Sequence, residues 1–476
     1  MDTPASRPTP ARTLLILGIG TLGFVLAQTT VIPALGDLQR ELGASATGIT
    51  WMVTAYLLVA SIATPILGRL GDMFGKERLL ATSLALFAIG SIVCALSNSL
   101  APLILGRGLQ GLGGGVFPLS FGIIRDEFPR DRVPTGIAML GAIAAIGSGV
   151  GLPLGGVLVD GPGYHWIFWL AAVMGVLATI TTLLFVPESP IRTPGRIDLP
   201  GAGILATGLT ALLVAISRGA DWGWGSPRTL GLIAGGLVVL ALFGLFERRT
   251  PQPLMNMRTF TRRPVLTTNI STVLIGSAMI GTFVLVPQLA QLPKGGDVGF
   301  GLSATEAGLL LAPGSLVSLL VAPLVGRVGE RHGSKPAFLA GCLLTAAALL
   351  GLAFAHGSVA LIIVWACVMF AGVGAAFAAI PNLIVVAVDE HETGEATGTN
   401  TVMRNIGSAV GAQVAGTLIA GHVLATGLPA DSGFTIAFLV GAAGAAVAAV
   451  SVLFIPGRAR SRAAAEPHPA ATASAA

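Results

Sequence analysis

The sequence predicts an all-α integral membrane protein of about fourteen transmembrane helices, forming two pseudo-symmetric six-helix bundles with an inserted helix pair. Three observations predict it. First, hydrophobic residues make up 53% of the 476 residues and charged residues 10%, with a mean hydropathy of +0.84. A soluble domain carries roughly 25% charged residues, too many to match this chain. Second, the apolar residues fall into runs long enough to span a bilayer, which takes about 20 residues of helix. Third, two sequence strings recur at nearly the same distance along the chain: GRLGDMFGKER (68–78) returns as GRVGERHGSKP (326–336), and GSGVGLPLGG (147–156) returns as GSAVGAQVAG (407–416).

Taken in order, the first bundle (13–186) holds predicted spans at 13–36, 48–68, 79–97, 100–124, 135–158 and 165–186. A 12-residue tail, 1–12, precedes it. The region 187–264 holds an inserted pair, 199–217 and 228–246, with its linkers. The second bundle (265–455) holds 265–289, 304–326, 336–354, 358–384, 397–421 and 432–455, and the polar stretch 456–476 is a second tail. The spans are helices because each backbone polar group must be satisfied within its own segment, and the alternating pattern of an outer-membrane barrel is absent.

Loop charges orient the spans. With the N-terminus inside, the inner segments carry twenty-one Lys and Arg, and the outer loops only Arg40, Arg218, Arg228 and Lys294. Cations accumulate on the cytoplasmic side, so both termini are expected there, in the plasma (inner) membrane. The net charge of +5 follows from this orientation, and no nucleic-acid partner is expected. No cleavable signal peptide is expected, since the first apolar run is long and lacks an A-x-A site. Cys94, Cys342 and Cys367 fall inside spans, which argues against disulfides and metal. The strings GIGTLG (18–23) and GRGLQG (106–111) fit a dinucleotide fingerprint, yet neither follows a strand in a βαβ unit. No catalytic motif stands out and the six histidines do not cluster; neither an enzyme nor a cofactor is expected.

A duplicated bundle with membrane-buried polar residues is the pattern of transporters whose halves move around a central site. Arg107 reads as the only cation deep within a span. Its insertion costs ~2.5–3.5 kcal/mol at the helix centre, so it is expected to face protein or a water-filled cavity. Gln110 lies one turn on, on the same face. Gly147, Gly151 and Gly155, spaced by four, make a smooth helix face beside Gly156, and Pro153 bends that helix.

The string 68–78 resembles motif A of the major facilitator superfamily, LILGRGLQGLGGG (103–115) its motif B, and 147–156 its antiporter motif C. With the span count, the chain resembles the fourteen-spanner drug:proton antiporter branch. The resemblance implies a multidrug or antibiotic exporter driven by protons. It implies a conformational latch from Gly68, Asp72, Gly75, Lys76, Arg78, Glu330 and Gly333. Asp72 is expected to cap helix 3 or to face another helix's positive end. It implies a role for Arg107 and Gln110 in coupling or in holding helix 4, and ties Gly147, Gly151, Pro153, Gly155 and Gly156 to export.

The chain departs from that branch at two points. Leu152 separates Gly151 from Pro153, where the family's proline follows the glycine directly, and LAQTTVIPAL (26–35) has Ala27 where an aspartate is usual. No span shows a carboxylate near its middle. A cavity drawn from Gln28, Thr29, Thr30, Asn269, Gln288 and Gln291 is polar but nearly uncharged, which suits neutral or anionic amphiphiles better than cations. The expected partners are the bilayer, a small-molecule substrate and protons, with the protein a monomer. Alternatives are an exporter of one metabolite or lipid, and a non-transporting receptor or scaffold; the duplicated motif and the lack of a sizeable soluble domain weigh against the last.

Overall fold

The computed structural model describes residues 10–129, 132–188, 198–294, 298–388 and 393–455. The expected tails, apart from residues 10–12, lie outside that set, as do Arg192 and Arg196. The first bundle runs α1 (Pro10–Thr29), α2 (Val31–Glu41), α3 (Ala46–Phe74), α4 (Lys76–Ala95) and α5 (Leu100–Gly111). A 3-10 turn (Leu112–Gly115) leads into α6 (Val116–Glu127), then α7 (Val133–Asp160) and α8 (His165–Phe185). The inserted pair is α9 (Leu199–Trp222) and α10 (Pro227–Glu247), followed by the short α11 (Met257–Phe260), which the sequence did not suggest. The second bundle runs α12 (Arg263–Gln291), α13 (Ala304–His332), α14 (Ser334–Phe354), α15 (Val359–Ala387), α16 (Thr393–Ala420) and α17 (Asp431–Leu453).

Among the described residues, twelve helices are long and apolar enough to cross a membrane. The expected spans 100–124 and 397–421 are not among them. The first is interrupted because Gly111, Gly113, Gly114 and Gly115 favour helix poorly and the chain tightens to a 3-10 turn. The second lies in the long helix α16, whose opening turns, TGEATGTNTVMRN, are polar. The span 13–36 is broken at Thr30. Pro33 has no N–H to offer the Thr29 carbonyl, and the Thr30 hydroxyl donates back to Leu26 O at 2.8 Å. The spans 48–68 and 304–326 run on to Phe74 and His332, so most of each repeated string is helix rather than loop.

α1 lies against α7 and α8, and α4 against α5 and α8; α12 lies against α16 and α17, and α14 against α15 and α17. The bundles meet through α3 with α16, α7 with α13, and α2 with α12. Asp160 accepts from Ala304 N at 3.0 Å and Thr305 N at 2.7 Å, capping α13 from the end of α7. Gln291 Nε2 donates to Pro33 O at 2.8 Å. The inserted pair docks on this seam through α9: Trp51 Nε1 donates to Ser217 Oγ at 2.8 Å, and Thr417 Oγ1 to Ile216 O at 3.1 Å. Leu237, Val238, Leu242 and Leu245 of α10 are exposed, an apolar surface suited to lipid.

Candidate functional site

The site begins with how closely α5 sits on its neighbours. A Cβ on Gly106 would lie 2.6 Å from Cys94 Sγ, and one on Gly111 would lie 2.6 Å from Tyr56 O. Backbone-to-backbone seating carries Arg107, fully buried, to the carbonyls of other helices. Its Nε donates to Met52 O at 3.0 Å, and one terminal nitrogen donates to Ala27 O at 2.9 Å and Gln110 Oε1 at 2.7 Å. Gln110 Nε2 continues the chain to Ser91 Oγ at 2.7 Å. The Ala27 carbonyl is free to accept because α1 ends at Thr29, and the last four carbonyls of a helix lack intrahelical partners. The guanidinium carbon sits 4.2 Å from the Tyr56 ring centroid, while the other terminal nitrogen is buried without an acceptor.

Beyond Tyr56 lies a small, narrow cavity at the seam between the bundles. Phe24, Tyr56, Leu57, Ala60 and Phe117 form apolar walls, and Gln28, Thr64, Thr401, Arg404 and Asn405 supply polar groups. Arg404 corrects the expectation that Arg107 is the only cation deep in a span. It lies within the span 397–421, on α16, half-buried in the cavity wall. Of the six residues expected to form the cavity, only Gln28 lines it. Thr29 and Thr30 donate back to Val25 O and Leu26 O and are buried against α7. Asn269 Oδ1 accepts from Asn400 Nδ2 at 2.8 Å, joining α12 to α16. Gln288 is buried, and Gln291 sits on α2 with its Oε1 against Gly36. Asn269 and Gln291 serve helix-to-helix contacts, whereas Gln288 Nε2 is buried without a hydrogen-bond partner among the described residues. Ala27 is buried and is not a lining residue.

The repeated string places its residues on the last turns of α3 and the first of α4. Gly75 alone forms the connection, at φ +112°, and Gly333 does the same between α13 and α14 at φ +80°. Both values suit glycine, since a Cβ is strained there. A Cβ on Gly71 would lie 2.2 Å from Leu119 Cδ2, whereas Gly68 touches Pro118 at an ordinary 3.4 Å. Asp72 does not cap α4, the third expected span, through a hydrogen bond; its carboxylate lies 3.4 Å from Lys76 Nζ. The closer partner of Lys76 is Asp126, at 2.6 Å, and both side chains are buried. Gly122 gives the lysine stem its path, because a Cβ there would meet Lys76 Cδ and Cε at 2.7 Å. Arg78 pairs with Glu188 at 2.8 Å. The backbone of Glu330 lies in α13, and its side chain is outside those described.

On α7, Cβ atoms at Gly147, Gly151 and Gly155 would lie 2.8 Å from Leu22 Cδ1, 1.9 Å from Thr29 Oγ1 and 2.1 Å from Thr30 O. Gly156 turns instead to α13, where a Cβ would meet Ala304 O at 2.4 Å. Pro153 lies within the same helix. In the second bundle, Gly407 and Gly411 of α16 press on Val273 O and Ser277 O of α12, each at 2.1 Å from an added Cβ.

Sequence reasoning missed Arg404, Asn405, Thr401 and Asp126. Arg404 carried a usable signal, a charge within an expected span. The other three carried none, because a threonine, an asparagine or an acid at a helix end is ordinary.

The sequence profile described as Major Facilitator Superfamily matches residues 17–412 and 269–476. A multidrug resistance protein, Stp, from Mycobacterium tuberculosis is 32% identical over 419 residues, covering 87% of this chain and 76% of its own length. A tetracenomycin C resistance and export protein from Streptomyces glaucescens is 29% identical, covering 88% and 78%. Multidrug resistance protein 3 of Bacillus subtilis is 27% identical, covering 88% and 81%. Among solved structures, an auto-inhibited POT family peptide transporter has a TM-score of 0.68 at 16% identity, covering 93% of this chain and 96% of its own, a likeness of fold.

Proposed function

The chain belongs to the Major Facilitator Superfamily, and we propose that it exports hydrophobic or amphiphilic small molecules across the plasma membrane in exchange for protons. One observation carries the reading: the cavity at the bundle seam has aromatic and aliphatic walls and a few converging polar groups, the make-up of a small-molecule site. The multidrug resistance and antibiotic export named in its relatives support it.

In this reading the interrupted α5–α6 segment and α16 also cross the bilayer, giving fourteen crossings with both termini cytoplasmic. The two bundles are pseudo-symmetric halves that rock about the cavity, and the protein works as a monomer. The glycine contacts of α7 with α1 and of α16 with α12 hold each half rigid. The Asp72–Lys76–Asp126 group latches α3 and α4 to α6 in one state and releases them in the other. Its two acids are the candidates to exchange the proton.

Proteoliposomes carrying the protein and the neutral dye N-phenyl-1-naphthylamine test the reading. An imposed pH gradient is expected to drive dye movement opposite to the proton flow. Equal dye distribution with and without the gradient contradicts coupled export.

A further inference from the structure

Arg107 and Arg404 are provided for differently, and the difference points to the charge of the substrate. Arg107 donates to two carbonyls and a glutamine. Arg404, in the cavity wall, has a ring contact with Phe377, whose centroid lies 5.6 Å from its guanidinium carbon. Among the described residues it has no hydrogen-bond acceptor and no ion-pair partner. A guanidinium presents five donors in a planar fork. No Arg404 nitrogen is buried without a partner, so the donors stay accessible and an acceptor such as a carboxylate can reach them.

Among the described residues, none lining the cavity is acidic. Behind Tyr56 the Arg107 guanidinium adds a second positive charge, which favours an anion across the ring. Gln28 and Asn405 add neutral donors to the lining, while Phe24 and Tyr56, with ring centroids 5.2 Å apart and planes 30° apart, form an aromatic wall that Phe117 meets edge-on at 6.2 Å. A flat apolar body can lie on Phe24 and Tyr56 against the upright Phe117 ring, with an acid group reaching Arg404.

We propose that the cavity selects aromatic organic anions, with Arg404 binding the carboxylate, sulfonate or phenolate and the Phe24–Tyr56–Phe117 surface holding the ring system. This rests on the export reading and specifies its substrate class.

Three probes of one shape test it: naphthalene-2-sulfonate, neutral 2-methoxynaphthalene and the (2-naphthyl)trimethylammonium cation. Binding to the purified full-length protein is measured by calorimetry, alongside dye transport in proteoliposomes. The sulfonate is expected to bind at least about tenfold tighter than the cation, as one charge-assisted contact provides. Arg404→Gln should lose about tenfold in sulfonate affinity, with the neutral probe changed less than about twofold, and Arg404→Lys should recover part of the loss. Retained binding of the neutral probe shows that the variant is folded. Cation binding equal to or tighter than sulfonate binding, or an unchanged sulfonate affinity in Arg404→Gln, overturns the proposal. If no probe binds while the neutral dye is still transported, the anion assignment fails and export stands. If the dye is not transported either, both fail.

Discussion

Arg107 reaches acceptors on α1 and α3 as well as its own helix, so its substitution separates charge from geometry. Lysine keeps the charge but cannot meet three acceptors in a planar fork. Arg107→Lys is expected to lower the unfolding midpoint, at about 1–3 kcal/mol for each carbonyl left without a donor, and to cut dye transport at least about tenfold. Thermal unfolding in detergent together with transport checks both effects; a variant like the parent in both would reduce Arg107 to a spectator. Glycines give a cleaner contrast. Gly155→Ala puts a methyl 2.1 Å from Thr30 O, while Gly141 has nothing within 4 Å of an added Cβ. The first should destabilise the protein by about 1–3 kcal/mol as an overpacked contact, and Gly141→Ala should be neutral or stabilising. The spacing of Gly147, Gly151 and Gly155 made that face legible in the sequence. The side-chain direction of Thr29, Thr30 and Asn269 was not legible, because a hydroxyl or amide in an apolar span serves a cavity or a helix contact equally well.

Helices and their junctions decide which of two acids holds the expected latch. Asp126, on α6, is buried against Lys76 at 2.6 Å, while the Asp72 side chain is 38% exposed at 3.4 Å. Breaking a buried pair by removing one charge costs about 3–5 kcal/mol, far more than an exposed pair contributes. Asp126→Asn is therefore expected to impair unfolding stability and transport more than Asp72→Asn; the reverse order in either measurement would refute this assignment. A second junction closes the inserted pair. Glu247, at the end of α10, accepts from Met255 N at 3.0 Å, and Asp198 accepts from Gly201 N at 2.8 Å. Glu247 Oε1 and Asp198 Oδ2 lie together against Gly201, one carboxyl beside the other. Glutamine at 247 keeps the acceptor and adds a donor for Asp198. Glu247→Gln should unfold at or above the parent temperature, and Glu247→Ala about 1–3 kcal/mol below it. Length and hydropathy foretold most helices here. The breaks at Thr30 and at Leu112–Gly115 went unseen because a proline or glycine cluster inside an apolar run is compatible with a continuous membrane helix.

At the scale of the whole molecule, the helical membrane fold was legible in composition and hydropathy, while the recurring strings and the cations in alternate loops carry the expected two-bundle organisation and orientation. Neither depends on side-chain direction. The orientation they imply is open to labelling: cysteines introduced at Gly225 and Thr261, both exposed and flanking α10, should react from opposite sides in a background lacking Cys94, Cys342 and Cys367. Reaction from one side only would contradict the crossing of α10. In the proposed function, the seam cavity is the route of transport. Thr401 lines it, and its hydroxyl only donates back to Thr397 O, so cysteine fits there without disturbing another helix. The most direct measurement is gradient-driven dye transport by Thr401→Cys, in the same background, before and after benzyl methanethiosulfonate and again after reduction. Transport should stop when the benzyl group fills the cavity and return when reduction removes it. Undiminished transport by fully modified protein would place the route elsewhere.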